Sequence, residues 1–202
     1  MEEKTIKIYS SYQKILLVGE GDFSFSLSLA KAFGSGSNMV ATSLNSKEYL
    51  LEKYSRASSN LKELEDLGCT IIHKVDARTM SEHHLLIDKY FDRIVFNFPL
   101  FGIVYHDLHR ILVSGFFKNA RKMVTQNGEV LVTQKRAQLM KLFSLAFKAK
   151  LLFFGSIPFN EEDYPGYVNK KGHGKECDET FPIGDSRTFK FLRDVDFPDL
   201  GV

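Results

Sequence analysis

A short apolar run followed by a glycine turn and a helix start constrains the fold of this chain more than any other stretch. Ile15–Val18 is typical of a buried strand, Gly19 and Gly21 provide a turn, and a helix is predicted from Ser24. Glycines lack a Cβ, so the backbone can turn sharply and approach a ligand closely. Backbone N–H groups at a helix start have no partners within the helix and can face that ligand. The stretch therefore predicts a nucleotide cradle at the carboxyl end of a first strand.

The motif Gly-x-Gly-x-x-Ser is weak by itself, because dinucleotide-binding folds have Gly or Ala where Ser24 stands. A plain strand-to-helix turn is the alternative interpretation. The cradle is favoured because the motif follows an apolar strand, opens a helix and begins an alternating chain. We expect its residues Gly19, Glu20, Gly21 and Asp22 to bind the cofactor.

The rest of the chain alternates between predicted strands and helices. Further strands are predicted at 39–44, 69–75, 91–97, 129–134, 151–157 and 186–192, with helices at 47–67, 81–89, 107–125 and 137–148. Such alternation predicts an α/β fold in which helices cover both faces of a parallel sheet. The last strand follows a long segment without a helix and should run antiparallel. A single domain with seven strands in this arrangement is a Rossmann-like methyltransferase fold.

The predicted domain spans residues 14–192, between an N-terminal lead-in (1–13) and a C-terminal tail (193–202). Residues 158–185 lack periodicity, and an irregular segment of that length in a compact domain is usually functional. The formal charge of +2 neither demands nor excludes a nucleic acid partner. Two cysteines, no apolar run of membrane-spanning length and no secretion signal predict a soluble intracellular protein.

Polar residues follow the second and third predicted strands, where ligands bind in such folds. Asn45 stands where adenosyl-binding folds place an acid to hold the ribose hydroxyls. It can make the same hydrogen bonds, although an amide is a weaker acceptor than a carboxylate. Asp76 is positioned to accept a hydrogen bond from an adenine amine. The alternatives are a helix N-cap for Asn45 and a helix-start acid for Asp76.

The fourth predicted strand ends in Asn97-Phe98-Pro99, which resembles the motif of methyltransferases that act on planar nitrogens. A side-chain oxygen there can accept the N–H of the target, and the proline stiffens the turn. A simple turn is the alternative interpretation. In a fold with a cradle after its first strand, Asn97 and Pro99 become the main catalytic candidates.

Six stretches between Lys14 and Leu192 together match one family, namely Leu17–Ser26, Ala41–Leu44, Phe96–Pro99, Gly115–Phe117, Tyr164–Tyr167 and Thr188–Phe191. They resemble the large-subunit rRNA uridine-N(3)-methyltransferase-like family. The resemblance implies an S-adenosyl-L-methionine-dependent enzyme that methylates a uracil ring nitrogen in rRNA. The chain departs from the family pattern at two positions, since Asn45 replaces an acid and Leu100 replaces a histidine. A catalytically impaired adenosyl-binding or RNA-binding module therefore remains an alternative, and a nicotinamide-dependent oxidoreductase is a third.

Methylation of a uracil nitrogen requires a proton acceptor, because that nitrogen carries a proton at neutral pH. The candidates are His106, Asp107 and Tyr164, which spacing does not distinguish. Phe98 is a candidate platform for a base turned out of its stack.

We expect Tyr164, Lys170 and Lys171 to contact the RNA, the lysines through its phosphates. A solvated surface turn is the alternative for the lysines. The expected partner is rRNA or a pre-ribosomal particle, in the cytoplasm or nucleolus, bound by a monomer without a metal or membrane.

Overall fold

The computed structural model describes residues 2–99, 106–136 and 139–193. Its strands are β1 (Thr5–Ile6), β2 (Tyr9–Ser10), β3 (Ile15–Val18), β4 (Met39–Thr42), β5 (Thr70–Ile72), β6 (Phe91–Asn97), β7 (Val124–Lys135), β8 (Leu151–Pro158) and β9 (Ser186–Arg193). Its α-helices are α1 (Ser24–Phe33), α2 (Lys47–Lys53), α3 (Ala57–Asp66), α4 (His106–Met123) and α5 (Leu139–Lys148).

Seven of these strands form one sheet in the order β5-β4-β3-β6-β7-β9-β8. The pairs from β5 to β7 are parallel, whereas β9 runs antiparallel to both of its neighbours, β7 and β8. The predicted fold class is therefore confirmed. All four residues of β3 are buried, as expected for a central parallel strand covered on both faces. The carboxyl ends of β3, β4, β5 and β6 consequently lie along one edge of the sheet.

Two apolar clusters fill the faces of the sheet, and phenylalanine supplies much of both. On one face Phe116 and Phe117 of α4 pack with Phe191 of β9. On the other face Phe25 of α1 packs with residues that include Tyr9 and Tyr164. Among the described helices, none is both long and apolar enough to span a bilayer.

Two of the predicted helices differ from the structure. The predicted helix at 81–89 is a 3₁₀ turn at Met80–Glu82 followed by turns. Its Ser81 does not cap a helix, because its N–H and hydroxyl both donate to Asn119 of α4. The predicted helix at 47–67 is two helices, α2 and α3. The α2 N-cap is Ser46, so the N-cap alternative for Asn45 is wrong.

The lead-in contains a hairpin that the sequence did not predict, formed by β1 and β2. The helix predicted at 107–125 ends at Met123, and the strand predicted at 129–134 starts earlier, because β7 begins at Val124 and includes residues 127 and 128. Gly128 fits there because a Cβ would lie 3.0 Å from the carbonyl oxygen of Asp92 in β6. The pairing of β6 with β7 is irregular at this point.

Candidate functional site

A cavity of about 370 Å³ lies at the carboxyl ends of β3, β4, β5 and β6. The predicted cofactor residues all line it, although they come from three separate connections: Gly19, Glu20, Gly21, Asp22, Asn45 and Asp76. Asn97, Phe98, Lys170 and Lys171 line the same cavity. The parallel sheet thus brings the predicted cofactor and substrate residues into a single space, and their roles stay predictions.

The turn after β3 depends on Gly19. Its φ is +72°, and a Cβ added there would lie 2.5 Å from Cε2 of Phe96 in β6. A side chain at this position would meet both a strained backbone and a buried ring. Gly21 is different, because an added Cβ would make only ordinary contact with the Tyr54 ring at 3.4 Å. Packing against Phe96 and the positive φ therefore both require glycine at position 19.

Two amides in the first turn of α1, those of Ser24 and Ser26, are not free for a ligand, contrary to the expectation from the sequence. The N–H of Ser24 donates to Oδ1 of Asp22 at 3.0 Å. The N–H and hydroxyl of Ser26 donate to Oε2 of Glu20 at 3.1 and 2.7 Å. The two acids of the glycine turn therefore accept hydrogen bonds from the first turn of α1, whose N-cap residue is Phe23.

The carboxyl groups of Glu20 and Asp22 both have raised pKa values. Burial raises the pKa of the Glu20 carboxyl to about 7, against the lowering effect of its bonds from Ser26. Burial also raises the pKa of Asp22, and its Oδ2 is buried without a hydrogen-bond partner in the described residues. Two acids that are desolvated in this way favour a ligand that brings positive charge or hydrogen-bond donors.

Asn97 ends β6 with both side-chain atoms, Oδ1 and Nδ2, buried and without partners among the described residues. The next residue, Phe98, has a φ of +48°, and its N–H donates to the carbonyl of Thr133 at 2.7 Å. Positive φ is strained for a bulky residue and is concentrated at functional sites. A buried amide without partners costs free energy unless a ligand pairs with it. Asn97 is thus prepared to bind a group that offers one donor and one acceptor.

Residues 159–185, called the strap below, form one wall of the cavity with Tyr167 and Val168. The Ser24 hydroxyl accepts a hydrogen bond from the N–H of Val168 at 3.1 Å. It also donates a hydrogen bond to the carbonyl oxygen of Val168 at 3.2 Å. Ser24, the residue that departs from the dinucleotide pattern, therefore attaches the strap to α1. The sequence contained no signal for this contact, because its partners are 144 residues apart.

The two predicted RNA-binding lysines of the strap are paired with acids of the strap. Lys170 lies 2.6 Å from Oδ1 of Asp178 with only 10% of its side chain exposed. Lys171 contacts Glu176 at 2.6 Å and Glu179 at 2.7 Å. Phosphate contacts by these lysines would have to replace carboxylates, and they stay a prediction.

The remaining predicted site residues differ in whether they face the cavity. Asp76 is paired with Arg78, whose guanidinium and N–H hydrogen bonds lower the pKa of the carboxyl. Tyr164 is buried against Phe159, with ring centroids 5.2 Å apart, and is not among the described residues that line the cavity. His106 begins α4, but its side chain lies outside the described part, as does Leu100. Pro99 is buried directly after Phe98.

The residues present fit S-adenosyl-L-methionine, a cofactor with a sulfonium charge, an amine and ribose hydroxyls. Asp22 has an orphaned carboxylate oxygen, Glu20 is a partly buried acid, and Gly19 allows close approach of the backbone. No group of three or more His, Cys, Asp or Glu residues that could hold a metal occurs within the described ranges.

A family model described as rRNA (uridine-N3-)-methyltransferase BTM5-like matches residues 16–171. Heavy metal-associated isoprenylated plant protein 41 of Arabidopsis thaliana is 45% identical over 200 residues, which cover 94% of this chain but 39% of the relative. An uncharacterized Arabidopsis thaliana protein is 41% identical over 206 residues, with 96% and 99% covered. The TehB-like SAM-dependent methyltransferase of Corynebacterium glutamicum shares the fold, with a TM-score of 0.54 and 15% identity over 90% of this chain and 80% of that one.

Proposed function

Because this chain belongs to the rRNA (uridine-N3-)-methyltransferase BTM5-like family, whose cofactor is S-adenosyl-L-methionine, we propose that it methylates N3 of a uridine in large-subunit rRNA. The observation that supports this target is the buried amide of Asn97, which lacks partners among the described residues. Uracil presents N3–H beside a ring carbonyl, and one amide can pair with both groups. The cofactor supplies an electrophilic methyl group on its sulfonium sulfur.

The residues of the glycine turn would hold the cofactor. Gly19 lets the backbone approach it, and the carboxylates of Glu20 and Asp22 favour its positive charge. Asn45 and Asp76 line the cavity after β4 and β5, where the ribose and the adenine are expected. Tyr167 and Val168 of the strap close the cavity on one side and limit the access of water.

Asn97 would orient the target base. Its Oδ1 would accept the N3–H of the arriving base and its Nδ2 would donate to the neighbouring ring carbonyl, which would hold the uracil ring in the cavity. The buried Pro99 and the strained Phe98 keep this turn in place. Methylation of N3 would release the proton that this nitrogen carries at neutral pH. An amide is a poor base, so we assign the proton to His106 at the start of α4 or to water.

The test is to map methylated uridines in large-subunit rRNA with and without this protein, and to repeat the assay with Asn97→Ala. The variant should bind the cofactor normally and lose about 10- to 1,000-fold in turnover, as expected when positioning at the reacting atom is lost. Normal turnover would refute the role of Asn97.

Cofactor binding without methyl transfer to rRNA would instead support the catalytically impaired module, an alternative that the replacements at Asn45 and Leu100 keep open. An rRNA substrate would place the protein at sites of ribosome production, in the nucleolus or cytoplasm, as a monomer on a pre-ribosomal particle.

A further inference from the structure

Positive charge is concentrated in one part of the chain. The segments that form β7, α5, β8 and β9 (124–158 and 186–193) contain eight Lys or Arg and one acid, although the whole chain has 27 and 25. The strap has the opposite balance, with three lysines and seven acids. The mild net charge of +2 therefore conceals a strongly basic part of the chain, and that part is not the strap.

Phe154 lies in these basic segments, on β8, the edge strand of the sheet. The pairing of β8 with β9 shifts between Phe153 and Gly155, so Phe154 is the extra residue of a β-bulge. Its side chain is 61% exposed, and Nζ of Lys190 lies 5.4 Å from the ring centroid. The same Nζ lies 3.9 Å from Oε1 of Glu129, the one acid of these segments. Bulges redirect side chains, and here one presents an aromatic ring beside a cation.

The basic aromatic edge comprises Lys148, Lys150, Phe154, Lys190 and Arg193. Its members lie on adjacent segments, because β8 follows Lys150 and Leu151 pairs with Arg193 at the end of β9. Lys148 and Lys150 are exposed. An exposed phenylalanine beside one cation, Lys190, with further cations at the adjoining ends of α5, β8 and β9, fits a surface that binds single-stranded nucleic acid, where cations meet phosphates and rings stack on bases.

The same strand is poorly suited to pairing with a strand of a second copy. The bulge at Phe154 twists the edge, and Pro158 lacks an N–H for pairing. Two copies would also bring like charges together. The charge of the edge complements a polyanion instead.

Phe154 lies within reach of the cavity, and the cations of the edge continue away from it along β8 and β9. β8 is parallel to β6, so its end at Pro158 lies on the sheet edge that carries Asn97. Three strand spacings across the sheet and four residues along β8 put Phe154 about 20 Å from Asn97. A single strand stacked at about 3.4 Å per nucleotide covers that distance with roughly six nucleotides.

We propose that the basic aromatic edge binds the single-stranded rRNA segment adjoining the target uridine, with Phe154 stacked on a base and the lysines on phosphates. The proposal rests on the proposed function for its substrate. It moves the main RNA contact from the strap lysines to β8 and β9.

The first experiment compares two triple variants of the full chain with equal loss of charge. One is Lys148→Gln/Lys150→Gln/Lys190→Gln, and the matched control is Lys31→Gln/Lys47→Gln/Lys62→Gln on α1–α3. The probe is a fluorescent single-stranded 20-nucleotide oligouridylate, titrated at several salt concentrations. Because the edge variant has three fewer cations to neutralise phosphates, it should bind at least about tenfold more weakly at about 0.1 M salt, and its log–log salt slope should fall by about 2.

The second experiment separates base stacking from simple apolar contact. Phe154→Leu keeps an apolar side chain and removes the ring, and Tyr90→Leu is the control at another aromatic residue that is 55% exposed. Only Phe154→Leu should weaken oligouridylate binding, roughly tenfold, and it should raise KM for rRNA with kcat little changed.

Equal effects of the two triple variants, together with unchanged binding by Phe154→Leu, would overturn the proposal. Methylation of rRNA at normal KM by the edge variants would refute the edge while leaving the proposed function intact. Absence of rRNA methylation and of oligouridylate binding by the wild-type chain would refute both. If the triple variant alone is impaired, the cations bind RNA but the stacking role of Phe154 is wrong.

Discussion

Glu20→Gln tests whether the cavity holds a desolvated acid. The folded-state pKa of Glu20 is about 7, against an ordinary value of 4.5. An acid with a raised folded pKa binds its proton more tightly in the folded state than in the unfolded state. The free energy of unfolding is therefore greatest below pH 4.5 and decreases as pH rises from about 4.5 to 7. From the two pKa values, ionisation of the buried Glu20 lowers the free energy of unfolding by under about 1 kcal/mol at pH 5 and by about 3 kcal/mol at pH 8.

Glutamine removes this cost and keeps an oxygen that can accept from Ser26. We therefore expect Glu20→Gln to have a higher free energy of unfolding than the wild type. This difference between variant and wild type should be about 2 to 3 kcal/mol larger at pH 8 than at pH 5. The measurement is urea denaturation without cofactor at both pH values, with the exposed Glu52→Gln as the control. Parallel pH profiles for wild type and Glu20→Gln would refute the desolvation argument.

The same titration should appear in cofactor binding. The ionised fraction of Glu20 rises about tenfold between pH 6 and pH 8, so a ligand with a sulfonium charge should bind the wild type more tightly at pH 8. S-adenosylhomocysteine lacks that charge and should show a smaller dependence on pH. Calorimetry on Glu20→Gln should show weaker S-adenosylmethionine binding at pH 8 and a flat profile. A flat profile in the wild type would mean that Glu20 does not face the cofactor.

Two further substitutions address the cradle and the strap. Gly19→Ala should lower the free energy of unfolding by about 2 to 4 kcal/mol, since it adds left-handed strain and a clash with Phe96, whereas Gly21→Ala should cost under about 1 kcal/mol. Similar urea midpoints for the two variants would contradict this distinction. Ser24→Ala should cost about 1 to 2 kcal/mol and speed tryptic cleavage within the strap, because it removes both hydrogen bonds to Val168. Unchanged cleavage, with Ser28→Ala as the control, would show that other contacts hold the strap.

The central elements of the fold could be predicted because their signals are local. Ile15–Val18 and Phe91–Asn97 are apolar runs bounded by turn residues, and both strands have the predicted bounds. The hairpin of β1 and β2 was missed because its turn at Lys7 has a φ of +54° without the usual glycine or asparagine. The helix predicted at 81–89 fails because Ser81 is bound by Asn119, a contact across 38 residues.

The sequence alone determined the order of the seven sheet strands along the chain, the antiparallel last strand and the positions of candidate residues at strand ends, because periodicity and turn chemistry act over a few residues. Only the tertiary structure decided which polar groups are satisfied. It brings the acids of the glycine turn to the amides of α1, attaches Ser24 to Val168, and pairs the strap lysines with carboxylates. It also buries Asn97 without a partner in the described residues. Burial and long-range pairing set the chemistry of these groups, and neither is encoded in local sequence spacing.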